Sequence, residues 1–459
     1  MKDKKITRVA TVLLVLVNVG LFSLVWLRFY NYAAFRTHRM EGAIGTVIAY
    51  YVIYRWLSKL YRGYSIASTA VDETVLSQFI SFGLSDLMLY VACCLLARHY
   101  VNVVPGALIV LLQLILSTVV IWVAKLVLLR HIKPEPTVLL YGGRQTLNDA
   151  KAFIGRLNQK YGHLFNVSVV LSDEAGDDAV STAIERSRNV LFMGVDPAKR
   201  ARWIELCVQK KRVFYFVPEF ADIVLASCSP KNLLDTPLMR YDYSYERNRN
   251  FTLKRLFDIL LSLFFLILLS PLMLLLALLI HLEDGGPVFF RQERATMDGR
   301  TFDILKFRSM VVDAEKNGVV PTTAKDPRVT RIGRFMRPLR LDETPQFINV
   351  LLGDMSFVGP RPERLLHVKL YEKALPQFRY RLRVKGGLTG YAQVYGKYNT
   401  SPEDKLKLDM LYIENQSFLL DFKLIMLTIK TMFRPESTEG FDQAVSDAIH
   451  DAGGAGGAD

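Results

Sequence analysis

Apolar residues fall in long blocks along the first third of the chain. Four stretches, residues 9–27, 42–57, 79–96 and 103–129, are each near the ~20 residues that cross a bilayer as a helix. The second is the shortest and carries Tyr50, Tyr51 and Tyr54, aromatics suited to anchoring at the interface. The first follows Lys2, Lys4, Lys5 and Arg8, as a signal peptide would. It is longer than a signal core and no small-residue cleavage site follows, so it reads as a retained helix. Positive residues flank the start of the first block, the end of the second (Arg55, Lys59, Arg62) and the end of the fourth (Lys125, Arg130, His131, Lys133). That bias predicts both ends of a helical bundle in the cytoplasm. Arg28, Arg36 and Arg39 run against it, because their loop would face outside.

Beyond Lys133-Pro134-Glu135-Pro136 the period changes. Residues 137–141, 167–171, 190–193 and 212–217 are short β-branched or aliphatic runs, with helical stretches such as 147–161 between them. Alternating strands and helices predict a small parallel α/β unit. Its first turn, Tyr141-Gly142-Gly143-Arg144, begins like a phosphate-binding turn but does not complete GxGxxG. A Rossmann-like module kept for regulation or assembly is the favoured reading. Residues 240–249 form a basic, Tyr-rich connector. Residues 437–459 are acidic and rich in Gly and Ala, which predicts a disordered tail. The predicted organisation is a four-helix membrane domain (1–133), the α/β module (134–250), a third domain (251–436) and the tail.

The third domain opens on residues 257–280, interrupted only by Asp258, Ser262 and Ser270. Its length permits a fifth span. Pro271 removes a backbone donor and kinks a helix, and the Ser270 hydroxyl can bond the freed carbonyl. An ordinary span and a helix that re-enters the same face, over about 254–281, are both open on composition. A full crossing would carry everything downstream out of the cytoplasm, away from nucleotide-activated substrates.

Charge narrows the chemistry. Lys plus Arg number 58 against 44 Asp plus Glu, a formal net charge of +14. Such an excess suits nucleic acid, anionic headgroups or phosphorylated small molecules. The apolar blocks select the last two, so no nucleic acid is expected. The cysteines show no zinc spacing and no disulfide framework. Lys306 and Arg308 are i and i+2 on a predicted strand and share a face. Arg328, Arg331, Arg334, Arg337 and Arg340 recur every third residue, spiralling round a helix so that one or two can face a site. Asp342-Glu343 follows. An acidic helix start would account for the pair, but neighbouring carboxylates about 100° apart can also divide nucleophilic or metal-binding work from proton handling. Pro360-Arg361-Pro362 stiffens an arginine suited to gripping phosphate. Lys385-Gly386-Gly387 lies near Arg381 and Arg383, and Asp409 sits on a predicted helix.

Lys306-Phe307-Arg308-Ser309-Met310, Asp326-Pro327-Arg328, Leu341-Asp342-Glu343-Thr344-Pro345-Gln346, Met355-Ser356-Phe357-Val358-Gly359-Pro360-Arg361-Pro362-Glu363 and Gly387-Leu388-Thr389-Gly390 together resemble the bacterial sugar transferase family. These are monotopic polyprenyl-phosphate hexose-1-phosphate transferases, and the match runs over about 251–433. The N-terminal helices and α/β module resemble the large members, which start capsule or exopolysaccharide repeats. The resemblance implies a membrane α-helical bundle, a Rossmann-like α/β module and a mainly helical α/β transferase domain with a re-entrant helix broken at Ser270-Pro271. It implies that Asp342 attacks the β-phosphorus of a UDP-sugar, releases UMP and holds the phospho-sugar until polyprenyl (undecaprenyl) phosphate takes it. Glu343 would assist and Mg²⁺ would sit at Asp342. Lys306, Arg308, Arg337, Arg361, Glu363, Arg381, Lys385 and Asp409 would form the substrate and phosphate contacts. The protein would lie in the bacterial cytoplasmic (inner) membrane, its catalytic domain on the cytoplasmic face, with a homodimer left open. Glucose is the expected hexose. The alternatives are galactose, an acetamido sugar, or a non-catalytic membrane scaffold with a nucleotide-sensing module. Gly386 departs from the family, which has proline there, so that loop is expected to be looser.

Overall fold

The computed structural model describes residues 2–35, 40–143, 145–242, 251–312, 314, 326–396 and 400–432. Arg144, most of the 240–249 connector and the 437–459 tail lie outside them. The chain divides into two compact units, Met1–Val217 and Pro218–Asp459.

In the first unit, α1 (Lys2–Val25) continues through a π-helical turn at Trp26–Tyr30 into α2 (Asn31–Phe35). It is followed by α3 (Met40–Leu60), α4 (Val71–Ala97) and α5 (Val104–His131). Lys5–Phe35, Val71–Ala97 and Val104–His131 are long and apolar enough to cross a membrane, and α3 does not join that set. Two of its three tyrosines do not serve as interface anchors: Tyr50 and Tyr54 are fully buried, whereas Tyr51 is exposed. Hydrogen bonds account for this. Gln113 Nε2 donates to the Tyr50 hydroxyl (2.9 Å), Asn18 Nδ2 donates to the Tyr54 hydroxyl (3.1 Å), and Tyr54 donates to Gln78 Oε1 (2.7 Å). A tyrosine is buried stably where its hydroxyl finds such partners, and here they come from the neighbouring helices.

The α/β module follows: β1 (Glu135–Tyr141), α6 (Leu147–Tyr161), β2 (Phe165–Ser172), α7 (Asp177–Arg186), β3 (Asn189–Met193), α8 (Pro197–Gln209) and β4 (Val213–Phe216). All pairs are parallel, in the order β2-β1-β3-β4. Val138, Leu140, Val190 and Phe192 form its core with Ile184, Trp203 and Cys207. Gly143 has φ +63°, and a Cβ on it would lie 2.6 Å from Gly194 O, so the turns after β1 and β3 pack directly on each other. The start of α6 is closed by its own capping box between Thr146 and Asp149.

The second unit begins with α9 (Phe220–Ser227) and a hairpin, β5 (Ser229–Leu233) and β6 (Thr236–Arg240). The Ser227 and Tyr241 hydroxyls both bond Glu414, and Phe220 stacks on Tyr380. α10 (Phe251–Asp284) is one helix with Pro271 inside it, and it is long and apolar enough to cross a membrane. The Ser270 hydroxyl donates to Ile267 O at 2.9 Å; this is the i−4 carbonyl that Pro271 leaves without a donor. Both ends of α10 are tied to the same unit. At the start, Lys254 Nζ reaches Asp421 (2.6 Å) and Val358 O (3.0 Å), Arg255 donates to Val350 O and Leu351 O, and Asp258 accepts from Phe357 N. At the end, Asp284 pairs with Arg308 and Glu283 accepts from Arg331 N.

The remaining elements are an antiparallel pair, β7 (Phe289–Ala295) and β8 (Thr301–Phe307), then α11 (Arg331–Met336), α12 (Gln346–Leu352), β9 (Ser356–Val358), α13 (Leu365–Ala374), β10 (Gly387–Thr389), α14 (Tyr391–Tyr395), α15 (Pro402–Glu414) and α16 (Phe418–Met432). β9 and β10 pair in parallel. A Cβ on Gly387 would lie 2.1 Å from Gly359 N, so glycine at that position lets the two backbones touch.

Candidate active site

Asp342 and Glu343 occupy a single 3₁₀ turn, Leu341–Glu343, ahead of α12. The chain enters it through Arg340 at φ +53°, a left-handed conformation sparsely used by residues other than glycine and one that clusters at functional sites. The turn sends the two carboxylates into different surroundings. Glu343 lies 2.9 Å from Lys306 Nζ and 2.5 Å from Arg361, with Arg340 at 3.9 Å. Asp342 forms no ion pair among the described residues, although Lys306 and Arg337 are within electrostatic reach.

Their acidities separate accordingly. Burial, reinforced by the neighbouring Glu343 charge, raises the Asp342 carboxyl above its ordinary range despite Lys306 and Arg337. Burial also disfavours charge on Glu343, but Arg361, Lys306 and Arg340 outweigh it and hold that carboxyl well below its ordinary value. Two adjacent acids pushed apart in this way mark a site where one is a fixed counter-charge and the other is available for chemistry.

Arg361 is aimed by what lies behind it. Pro360 and Pro362 are buried on either side. Arg381 donates to Arg361 O (3.0 Å) and pairs with Asp409 (2.8 Å), while Arg294 donates to Pro362 O (3.2 Å). Glu363 pairs with Lys405 and lies 3.5 Å from Arg381. Glu363, Arg381 and Asp409 therefore spend their charge on one another in a nearly water-free cluster. Burial opposes the Glu363 charge, but Lys405 and Arg381 bring its carboxyl down to about 2. Burial raises Asp409 in spite of Arg381.

Among the expected site residues, Lys306, Arg337, Asp342, Glu343 and Arg361 come together. Arg337 Nη1 is buried with no hydrogen-bond partner among the described residues. Glu363, Arg381 and Asp409 brace the Arg361 loop from behind. Arg308 is buried against Asp284 at the end of α10. Lys385 has Arg255, Asp258, Arg300 and Asp354 as its charged neighbours. Gly386 is not loose: it is buried, its N–H points at Thr296 Oγ1 (3.4 Å), its carbonyl accepts from Ser356 N (2.9 Å), and a Cβ on it would lie 2.5 Å from Pro362 Cγ. Sequence reasoning missed Arg340, Arg294 and Lys405 as functional residues. The three-residue arginine period dilutes the signal of Arg340, and nothing local marks the other two.

No group of three or more His, Cys, Asp or Glu is gathered for a metal among the described residues. With Glu343 engaged by cations, Asp342 is the carboxylate of the pair left to ligate one.

Residues 249–435 match the family described as bacterial sugar transferase. The UDP-glucose:undecaprenyl-phosphate glucose-1-phosphate transferase of Klebsiella pneumoniae is 43% identical over 185 residues, 39% of this chain and 40% of that protein. The UDP-N-acetylgalactosamine-undecaprenyl-phosphate N-acetylgalactosaminephosphotransferase of Aeromonas hydrophila is 44% identical over 183 residues, 39% of this chain and 43% of that protein. The chain thus matches less than half the length of these two relatives. The uncharacterized sugar transferase EpsL of Bacillus subtilis is 37% identical over 202 residues, 44% of this chain but 97% of that protein. With a relative matched almost end to end and the residues around Asp342 and Glu343 inside the matched region, this chain belongs to the bacterial sugar transferase family.

Proposed function

We propose that the protein transfers a hexose-1-phosphate from a UDP-sugar to polyprenyl phosphate at the cytoplasmic face of the bacterial inner membrane, releasing UMP. The observation that carries this reading is the unpaired Asp342 beside a clamped Glu343 and the cations Lys306, Arg337, Arg340 and Arg361. An Asp342 carboxylate oxygen attacks the β-phosphorus, and the bond from that phosphorus to the bridging oxygen breaks. UMP leaves with the electron pair, and an aspartyl phospho-sugar remains. A phosphate oxygen of the polyprenyl acceptor then attacks the same phosphorus, freeing Asp342 and leaving a polyprenyl diphosphate sugar. Lys306, Arg337 and Arg361 hold the charge that the diphosphate brings. Glu343 keeps Lys306 and Arg361 in place. Mg²⁺ fits at Asp342, since that ion commonly binds through one or two carboxylates plus substrate phosphates; when bound it would neutralise diphosphate charge.

A helix whose two ends are fastened to one body supports the re-entrant reading of α10 over a full crossing. Glucose is the sugar proposed, as the entry step of capsule or exopolysaccharide synthesis. Relatives of nearly equal identity are named for glucose and for N-acetylgalactosamine, so a panel of UDP-sugars is the decisive test. Membranes containing the protein are incubated with each radiolabelled donor, and UMP, labelled protein and lipid-linked product are measured. The expected result is label on the protein without acceptor, chased to lipid by polyprenyl phosphate, and absent in Asp342→Asn. Turnover with unlabelled protein would refute the covalent route. Unchanged binding partners with no UMP from any donor would favour a scaffold.

A further inference from the structure

The phosphotransfer reading uses nothing of the N-terminal helices, yet their interior carries a continuous polar path. It begins at the loop after α3, where Gln78 Nε2 donates to Gly63 O at 2.9 Å. Tyr54 donates to Gln78 Oε1, and Asn18 Nδ2 donates to the Tyr54 hydroxyl and to Ser117 Oγ, the last at 3.1 Å. The Asn18 carbonyl accepts from Gln113 Nε2 at 3.2 Å, and that same amide donates to Tyr50. Asn18, Tyr50, Tyr54, Gln78 and Gln113 are all fully buried. The path ends at Asp86, near the middle of the 27-residue α4. The Tyr50 hydroxyl and the Gln113 amide are the groups that act on it.

This end of the path lacks a donor. Both Asp86 oxygens are shut in without a hydrogen bond among the described residues, and so is Gln113 Oε1. The outer surface of α4 at this depth is Leu87, Met88 and Val91, on a helix long and apolar enough to cross a membrane, so lipid rather than water lies against it. Tyr50 accepts the Gln113 N–H, which leaves its own O–H to donate toward one Asp86 oxygen. The other Asp86 oxygen and Gln113 Oε1 remain, two acceptors with no proton between them. Nothing nearby offsets a charge. Asn18 of α1 and Gln113 of α5 are neutral amides, Tyr50 comes from α3, and Tyr30 of the π-helical turn is the further titratable group within electrostatic reach. A carboxylate only accepts hydrogen bonds, whereas a carboxylic acid has one O–H to give. A lone charge at mid-membrane is costly, and a polar atom there must find its partner inside the protein. One added proton meets all three needs: it removes the charge, occupies the second Asp86 oxygen and supplies Gln113 Oε1 with a donor.

We infer that Asp86 is a proton-binding site, its carboxyl protonated at neutral pH and donating to Gln113 Oε1. The proton keeps α3, α4 and α5 packed round a neutral polar centre, and its loss leaves a charge among them. The inference is independent of the phosphotransfer.

The test reconstitutes the full chain in phosphatidylcholine nanodiscs and takes infrared difference spectra between wild type and Asp86→Asn, whose amide is isosteric with the neutral acid. At neutral pH the difference should contain the C=O stretch of one protonated carboxyl, displaced when the aspartates carry carbon-13 at the carboxyl and lost at alkaline pH. Gln113→Leu removes the acceptor and should move the stretch to higher frequency. Asp86→Glu, which retains a protonated carboxyl with a displaced stretch, serves if the asparagine variant does not fold. Thermal unfolding of the wild type should move to lower temperature from neutral to alkaline pH relative to Asp86→Asn. A carboxylate signal at neutral pH, in sodium and in potassium buffer alike, overturns the site. A protonated signal that sodium converts to carboxylate overturns the proton as its ligand in favour of a metal cation. A stretch unmoved by Gln113→Leu overturns the assignment of the acceptor, and parallel unfolding of wild type and Asp86→Asn overturns the link to packing.

Discussion

Asp342 and Glu343 are neighbours in sequence, yet the 3₁₀ turn gives them opposite electrostatic environments. In the proposed reaction the attacking form of Asp342 is the carboxylate. Because its folded value is raised, that form is lost on acidification at a higher pH than for an ordinary aspartate, whose value is 3.8. The acid limb of the pH–rate profile should therefore lie above that value. Glu343→Gln removes the adjacent negative charge and frees its cations, so it should move the limb to lower pH. The same substitution should cost about 3 kcal/mol of stability, because it leaves Lys306 and Arg361 without their counter-charge; denaturant unfolding measures this. Asp342→Asn should reduce UMP release by roughly three orders of magnitude or more. At Gly386, restoring the family's proline should not tighten the loop. A side chain there meets Pro362 and the N–H toward Thr296 is lost, so Gly386→Pro should destabilise by about 1–3 kcal/mol. The acidic pair and Arg361 were legible because their motifs are local. The brace behind Arg361 was not: Asp409 and Lys405 reach it from α15 across about forty residues, and no periodicity marks such a contact.

At the scale of elements, that brace has its own pH signature. The folded value of Glu363, about 2, lies below its ordinary 4.5. Its contribution to stability is therefore complete above about 4.5 and is lost as the pH falls toward 2. Glu363→Gln should remove that part of the acid-unfolding curve, as followed by far-ultraviolet circular dichroism. The α/β module shows why element prediction works where a core is continuous. β1 to β4 form over the four expected runs: β1 and β3 bury Val138, Leu140, Val190 and Phe192, and Leu171 of β2 and Phe214 of β4 pack partly buried against them. α3 shows where it fails. A run of tyrosines reads as interfacial by composition, and only the positions of Asn18, Gln78 and Gln113 on other helices reveal that the Tyr50 and Tyr54 hydroxyls turn inward.

For the whole molecule, the division falls at Val217/Pro218, earlier than the change in composition near residue 251. α9 and its hairpin go with the C-terminal unit through Glu414, a contact almost 190 residues away in sequence that no local pattern announces. EpsL is matched over 97% of its length by 202 residues of this chain, and the family model covers residues 249–435. A fragment of residues 218–459 expressed in membranes should therefore release UMP from the donor that the intact chain uses. Loss of that activity, with the fragment folded by circular dichroism, would assign the N-terminal unit a part in the reaction.

The fastening of α10 at both ends bears on any attempt to obtain a soluble catalytic domain. Deleting this helix as though it were a detachable tether would strand Asp421, Arg308 and the last carbonyls of α12 without their partners. It would also uncover the hydrophobic seat of Leu276 and Ile280. The truncated protein should aggregate rather than dissolve, because here the membrane helix doubles as a wall of the globule.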